Sequence, residues 1–331
     1  MSLKTYIARR LVEAIPVVLL VIVINFSLIH LAPGDPATAL AGEQATREMI
    51  EATAERYGLN KPIYEQLWIY ITGVVRGDLG TSYTYTSGTP VISLIAPAAF
   101  NTLMLVIPAM VLSFGLGTAL GVYAAGKHPS KRDTTIVSTS LVFYSMPTFW
   151  TGLLLLLVFG LYLKLFPLAG ISSVTQVGWT TNGPDAGIMY FLDEVWHAVL
   201  PITALTGYYL PVYLRLSRSS VMEVMREEFI TAARAKGLEE RTVLFRHALR
   251  NAILPSVTML GLWIGLALTS SALTEIVFGW PGLGRLLYES IFSRDYPVLM
   301  GIFVTVSMCV IAATLITDVV CAWLDPRIVY K

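Results

Sequence analysis

Six long apolar runs dominate the chain, roughly Arg10–Leu31, Ala98–Ala125, Thr134–Leu165, His197–Leu216, Ala252–Thr274 and Val298–Leu324. A helix needs about 20 predominantly apolar residues to cross a bilayer, and each run is long enough. The third exceeds that length, which predicts tilt or extension beyond the bilayer. The first follows KTYIARR in the manner of a signal peptide, but it outlasts the ~7–15 residues of a cleaved apolar core and opens a multi-span chain. It reads as an anchor. The pattern predicts an all-α membrane protein of six transmembrane helices.

The polar stretches between the runs carry structure of their own. Residues 33–97 are too long for a simple connector. They hold two helical readings, Glu43–Tyr57 ending at Gly58, and a stripe of Ile63, Leu67, Tyr70/Ile71 and Val74/Val75 with Asn60 as N-cap and Pro62 early in the helix. The organisation is an N-terminal segment and first span (1–32), a small subdomain (33–97) and a membrane core (98–331). The Gly-, Thr- and Pro-rich segment 164–196, with Asp185, Asp193 and Glu194, reads as irregular.

Arg226–Pro255 reads as two short amphipathic helices broken at a glycine. Val221, Val224/Met225, Phe229 and Ala232/Ala233 recur at helical spacing, and Gly237 sits where a left-handed C-cap is wanted. Val243, Leu244, Ala248 and Ala252 mark a second apolar stripe, while Arg226, Arg234, Lys236, Arg241, Arg246 and Arg250 cover the remaining surface. Small residues on one face of a helix–Gly–helix element suit docking against another protein.

Composition agrees with the pattern: 55% of residues are hydrophobic, only 14% are charged, and the mean hydropathy is +0.66. A soluble domain carries about 25% charged residues. The net charge of +1 gives no ground for nucleic-acid binding. Cys309 and Cys321 both fall in the last apolar run and suit packing, and the four histidines have no metal-ligand spacing. With the N-terminus inside, sixteen Lys and Arg fall on the cytoplasmic side and seven on the other. By the positive-inside rule both termini are cytoplasmic and 33–97 is extracytoplasmic.

No catalytic constellation is visible. Gly121–Lys127, GVYAAGK, fits GxxxxGK, but His128 stands where a phosphate loop needs Ser or Thr, and the match closes a spanning run. The chain therefore brings no nucleotide machinery, and active transport would draw energy from a partner.

AARAKG, followed by RHALRNAILP, resembles the coupling loop of ABC-importer permeases in its dipeptide/oligopeptide branch. Thr231 stands at the family's opening Glu, while Ala232, Ala233 and Gly237 match. LAPGDPA (Leu31–Ala37), GDLGTSY (Gly77–Tyr83) and EIVFGWPGLGRLLYESIFSRDYPVLMG (Glu275–Gly301) extend the resemblance along nearly the whole chain. The resemblance implies a transport subunit, not an enzyme, in the cell (inner) membrane. It implies a homologous second permease, two ATPases that bind the ATP and Mg, and an extracytoplasmic substrate-binding protein. Coupling loop 217–255 would engage the ATPases through Phe229, Thr231, Ala232, Ala233, Arg234, Lys236 and Gly237, with Ala233 facing the partner. Peptides are the implied cargo; nickel, glutathione and oligosaccharide importers are relatives in the same family.

Some candidates have two readings. Tyr144, Ser145, Tyr208, Tyr209 and Tyr213 lie near kinking prolines and offer the stacking and hydroxyl groups of a peptide path, yet suit core packing equally. Trp280, Pro281 and Gly282 open either an interfacial hairpin or an outer gate. Gly117/Gly121 and Gly261/Gly265 fit close helix packing. Arg9 and Glu13 can snorkel together, and Asn101 suits an interhelical hydrogen bond. Asp318 calls for a basic partner on a neighbouring span, and is the one fair candidate for a proton-coupled path. The charge split is testable. A cysteine at Ser130 should label only from the cytoplasm and one at Thr86 only from outside; labelling of Ser130 from outside intact cells would overturn the topology.

Overall fold

The computed structural model describes residues 3–31, 37, 46–56, 58–85, 88–173 and 186–324. Most of LAPGDPA, the start of Glu43–Tyr57, and Thr86, Asp185, Arg327 and Lys331 lie outside them. Every extended element among the described residues is helical, with one isolated bridge between Thr81 and Pro90. The helices are α1 (Leu3–Leu31), α2 (Arg47–Arg56), α3 (Ile63–Val75), α4 (Val91–Gly126), α5 (Lys131–Ser145), α6 (Thr148–Tyr162) and α7 (Ala186–Val224). They continue as α8 (Glu228–Ala235), α9 (Glu240–Ala252), α10 (Leu254–Ser270), α11 (Ala272–Val277), α12 (Leu283–Phe292) and α13 (Tyr296–Leu324). α1, α4, α7 and α13 are each long and apolar enough to cross a membrane, and counting the bent pairs α5–α6 and α9–α10 as one span each makes six.

Three boundaries differ from the sequence reading. The long third run is two helices bent by 97°. Pro147 lacks the amide for an α-helical bond and pushes Met146 to an extended ψ of 128°, so the surplus length becomes a corner, not a tilt. α7 begins at Ala186, which puts Asp193 and Glu194 on a helix and not in the irregular segment expected over 164–196. α4 begins at Val91, with Pro90 as its cap, so Pro97 sits within a helix instead of closing the outer subdomain. In that subdomain α3 is capped by Pro62, not Asn60, whose side chain makes no capping bond.

The bundle is organised around α4 and α7, its most extensive helix pair. Gly117 and Gly121 set their approach: a Cβ on Gly117 would lie 2.7 Å from Leu210 O, and one on Gly121 would run into Leu214 O. Gly261 and Gly265 do the same for α10 against Thr317 and Val310 of α13. Leu105, Val106, Met110, Leu205, Tyr209, Tyr213, Leu268 and Trp280 fill the core. α1 flanks α13 on one side and α5–α6 flank α7 on the other. Arg9 pairs with Glu13 at 2.8 Å, and Asp318 finds its basic partner in Arg10 of α1 at 3.2 Å.

The two glycine types make a test. Gly121→Val inserts atoms into the α4–α7 contact and should cost about 1–3 kcal/mol. Gly115, on the same helix with nothing within 4 Å of its Cβ position, supplies the control. Thermal unfolding in detergent should fall for Gly121→Val and hold for Gly115→Val; equal melting would refute close packing at Gly121.

Candidate functional site

At the basic end of the bundle, α8 and α9 form a hairpin hinged at Gly237. The backbone leaves α8 through a left-handed turn: Gly237 has φ +76°, its N–H donates to Arg234 O at 2.9 Å, and Leu238 N–H reaches back to Ala233 O at 3.5 Å. This pair of bonds is the Schellman closure that favours glycine at the left-handed position. Arg234 then clasps Glu240 across the turn through two bonds of 2.6 and 3.1 Å, and this guanidinium holds the Glu240 carboxyl below the usual carboxylate range.

Ile230, Ala233, Val243 and Ala248 form the seam between the two short helices, over Val224 and Met225. Ala233 is therefore buried in the chain's own hairpin and does not face outward. Phe229, 42% exposed, points away with Thr231, Ala232 and Lys236. The expected stripe of Phe229 with Ala232/Ala233 was phased from Val221 and Val224. α7 stops at Val224, and turns closed by Arg226 N–H to Glu223 O and Glu227 N–H to Val224 O restart the helix out of phase. Arg234 stays exposed while it pairs with Glu240 across the hairpin.

The hairpin is rooted in the ends of α4 and α7. Leu244 packs with Val122, Val221 and Ala252, and Gly126 closes α4 directly against it. Beside this root, Arg218 of α7 grips Asp133 through bonds of 2.6 and 2.7 Å, and His128 adds a third at 2.8 Å. The hydrogen bonds from Arg218 lead in holding the Asp133 carboxyl down to about 2, well below its ordinary value.

The far end of α4 holds a second constellation, built on Glu275. This carboxylate is fully buried and accepts from Thr102 Oγ1 at 2.7 Å, Ser271 Oγ at 3.2 Å, Gly284 N–H at 2.7 Å and Arg285 N–H at 3.1 Å. The last two are first-turn amides of α12, so Glu275 supplies the anion that a helix N-terminus attracts. Thr102 also accepts from Leu283 N–H at 2.8 Å. Trp280 donates Nε1–H to Asn101 O, and Asn101 donates to Pro281 O, both at 2.9 Å. Gly282 and Gly284 leave room for this: Cβ atoms there would strike the Glu275 carboxylate and Ala272.

Trp280 is thus fully buried in the core, while Pro281 stays exposed. Sequence reasoning missed Glu275 and Thr102. The available signal was a carboxylate ending an apolar run, followed by a glycine-rich turn and a new helix.

The tyrosines divide. Tyr209 donates or accepts at Ser270 Oγ and Tyr213 donates to Met110 Sδ, and both are buried core residues. Tyr144 and Tyr208 stack, with centroids 5.4 Å apart and planes 18° from parallel, on a half-exposed face. Ser145 returns its hydroxyl to Leu141 O of its own helix.

Residues 117–330 match the family described as "Binding-protein-dependent transport system inner membrane component", and residues 3–114 match its N-terminal component. The chain belongs to this family. Its permease relatives include the oligopeptide transport system permease AppB of Bacillus subtilis, 36% identical over 99% of this chain and 100% of that protein. The dipeptide transport system permease DppB of Escherichia coli K12 is 38% identical over 98% and 99%. The glutathione transport system permease GsiC of E. coli O6:H1 is 37% identical over 98% and 99%. The fold resembles a chain of the inward-facing MetNI methionine ABC transporter with a TM-score of 0.57 and 16% identity, covering 71% of this chain and 97% of that one. The protein is thus an ABC-importer permease and a multi-pass protein of the inner membrane, and its relatives are transport subunits.

The Glu275 clasp predicts a graded loss of stability. Thr102→Val removes a donor to the carboxylate and an acceptor for Leu283, and should cost about 1–3 kcal/mol. Glu275→Ala strands four donors and should cost more. Thermal unfolding of the purified permease measures both, and a Glu275→Ala protein melting like wild type would show that the clasp bears no weight.

Proposed function

We propose that this permease forms, with a homologous second permease subunit, the membrane path for dipeptides or oligopeptides. Two cytoplasmic ATPase subunits, holding the ATP and Mg, would drive it through the α8–α9 hairpin. An extracytoplasmic binding protein would deliver substrate to the opposite end. The carrying observation is the hairpin: a helix–Gly–helix element that exposes Phe229, Thr231, Ala232 and Lys236 while its inner face packs on the ends of α4 and α7. ATP-driven closure of the partners would shift Phe229, Thr231, Ala232 and Lys236, and the buried seam would pass that motion to the spans. The basic end is then the cytoplasmic one.

Peptide cargo is supported by relatives of both peptide systems at 36% and 38% identity. The glutathione relative at 37% keeps a second reading within the same chemistry, since glutathione is itself a short peptide. A proton-coupled carrier is disfavoured by the pairing of Asp318 with Arg10.

The structure changes which substitutions test the coupling. Ala232→Trp and Phe229→Ala alter the exposed face only, and should abolish co-purification of the ATPase pair while the permease still inserts and melts normally. Gly237→Val should cost roughly 1 kcal/mol through its positive φ, with no steric clash. Gly237→Asn, which tolerates that φ, should retain coupling. Binding-protein-stimulated ATP turnover is the second readout. Wild-type assembly and stimulation in Ala232→Trp and Phe229→Ala would remove the hairpin from the coupling role.

A further inference from the structure

We propose that the groove between α1 and α13 binds one phosphatidylethanolamine molecule of the surrounding membrane, its ammonium at Asp318 and Glu13 and its phosphate at Arg10. The inference is independent of the cargo. Among the other spans α1 packs chiefly on α13, at the edge of the bundle. The apolar windows of the two helices run over Arg9–Ser27 and Tyr296–Cys321, so α1 enters the membrane where α13 leaves it. Arg10, Glu13 and Asp318 all lie within about one helical turn of those ends. That is the depth of lipid headgroups, where long charged side chains reach water.

The groove changes character along its length. It encloses a cavity of about 320 Å³, with Arg10, Glu13 and Asp318 at the mouth and Ala14, Val17 and Val310 in the walls below. From Asp318 to Val310 the helix descends about 12 Å toward the bilayer centre at 1.5 Å per residue. A polar mouth over an apolar floor of that depth suits a headgroup and the first carbons of its chains. Away from the mouth α1 exposes Val12, Ile15, Leu19 and Leu20. A span that is apolar on its outward faces has lipid for a neighbour.

The charges select the lipid. A terminal nitrogen of Arg10 lies 3.2 Å from Asp318 Oδ2, yet this buried oxygen receives no hydrogen bond among the described residues. It has a counter-charge beside it and lacks a donor. Glu13, exposed at the mouth, pairs with Arg9 through Oε1 at 2.8 Å. Two carboxylates thus stand against two arginines, and the balanced mouth gives an anionic headgroup no net attraction. A zwitterion finds both partners. A primary ammonium brings three N–H donors, whereas the trimethylammonium of phosphatidylcholine brings none. Charge-assisted hydrogen bonds to a carboxylate therefore favour the ethanolamine headgroup.

The test uses the full-length permease, purified with the subunits that accompany it. Detergent micelles carry equal amounts of phosphatidylethanolamine, its N,N-dimethyl form, phosphatidylcholine and phosphatidylglycerol, all with the same chains, and native mass spectrometry counts the lipid retained. Wild type should hold one lipid, with ethanolamine favoured about ten-fold over choline and glycerol and the dimethyl form between. Asp318→Asn should bring ethanolamine down toward choline, and Glu13→Gln should lose part of the preference. Val17→Trp, which fills the groove and leaves the charges, should weaken every lipid. Glu51→Gln, in an exposed pair with Arg47 on α2, should behave as wild type. A preference for phosphatidylglycerol overturns the proposal, as does equal retention of all four, which would mean ordinary boundary lipid. Retention of none overturns it too and would assign the groove to a protein neighbour. Should Asp318→Asn fail to fold, wild-type retention in both Glu13→Gln and Val17→Trp overturns it.

Discussion

A buried carboxylate must be satisfied where it stands, and the end of this permease away from the basic hairpin is arranged around that demand at Glu275. Four donors converge on it from three elements: α4 through Thr102, the α10–α11 junction through Ser271, and α12 through Gly284 and Arg285. None is a formal cation, so the charge is met by oriented dipoles at the start of α12. The turn that delivers α12 must pass close to the carboxylate, which is why Gly282 and Gly284 carry no side chain. Trp280 fills the core beneath the turn and ties its indole N–H to α4. A loop at the same end is held in a similar way by Asp295, which accepts from Ser82 Oγ and from the N–H groups of Tyr83 and Thr84.

α4 joins this clasp to the basic end. Thr102 binds Glu275 near one end, and Gly126 rests on Leu244 of the hairpin at the other. The 24 intervening steps of helix span about 36 Å at 1.5 Å per residue. α7 runs beside α4 at glycine-limited distance, so neither can slide far without lifting backbone out of contact. Packed interiors move as units, not by continuous deformation. A displacement at the hairpin therefore has a physical route to the turn holding Trp280.

Much of this was legible in residue order. Apolar runs mark the spans, Gly237 marks the left-handed turn, and Gly117/Gly121 and Gly261/Gly265 mark the tight crossings. What escaped depended on chain breaks and on contacts distant in sequence. The corner at Pro147 was hidden because hydropathy is indifferent to direction. Tyr209 and Tyr213 were grouped with Tyr208, although on a helix they need not share its face, and only Tyr208 reaches a surface with Tyr144. Glu275 looked like the first letter of a motif because its donors come from α4, more than 170 positions away, as well as from the next turn.

The hairpin shows most plainly why periodicity alone fell short. A 3.6-residue period places Val243, Leu244, Ala248 and Ala252 on one stripe. Residues Val243–Ala248 are instead π-helical, with hydrogen bonds closing five residues apart. Five-residue spacing lets Val243 and Ala248 share the seam with α8, while Leu244 and Leu249, also five apart, share the cluster with Val122 and Val221. One widened turn thus serves two partners at once. A regular α-helix would rotate one member of each pair away and loosen either the hairpin or its root. The π turn makes α8 and the ends of α4 and α7 parts of one packed unit.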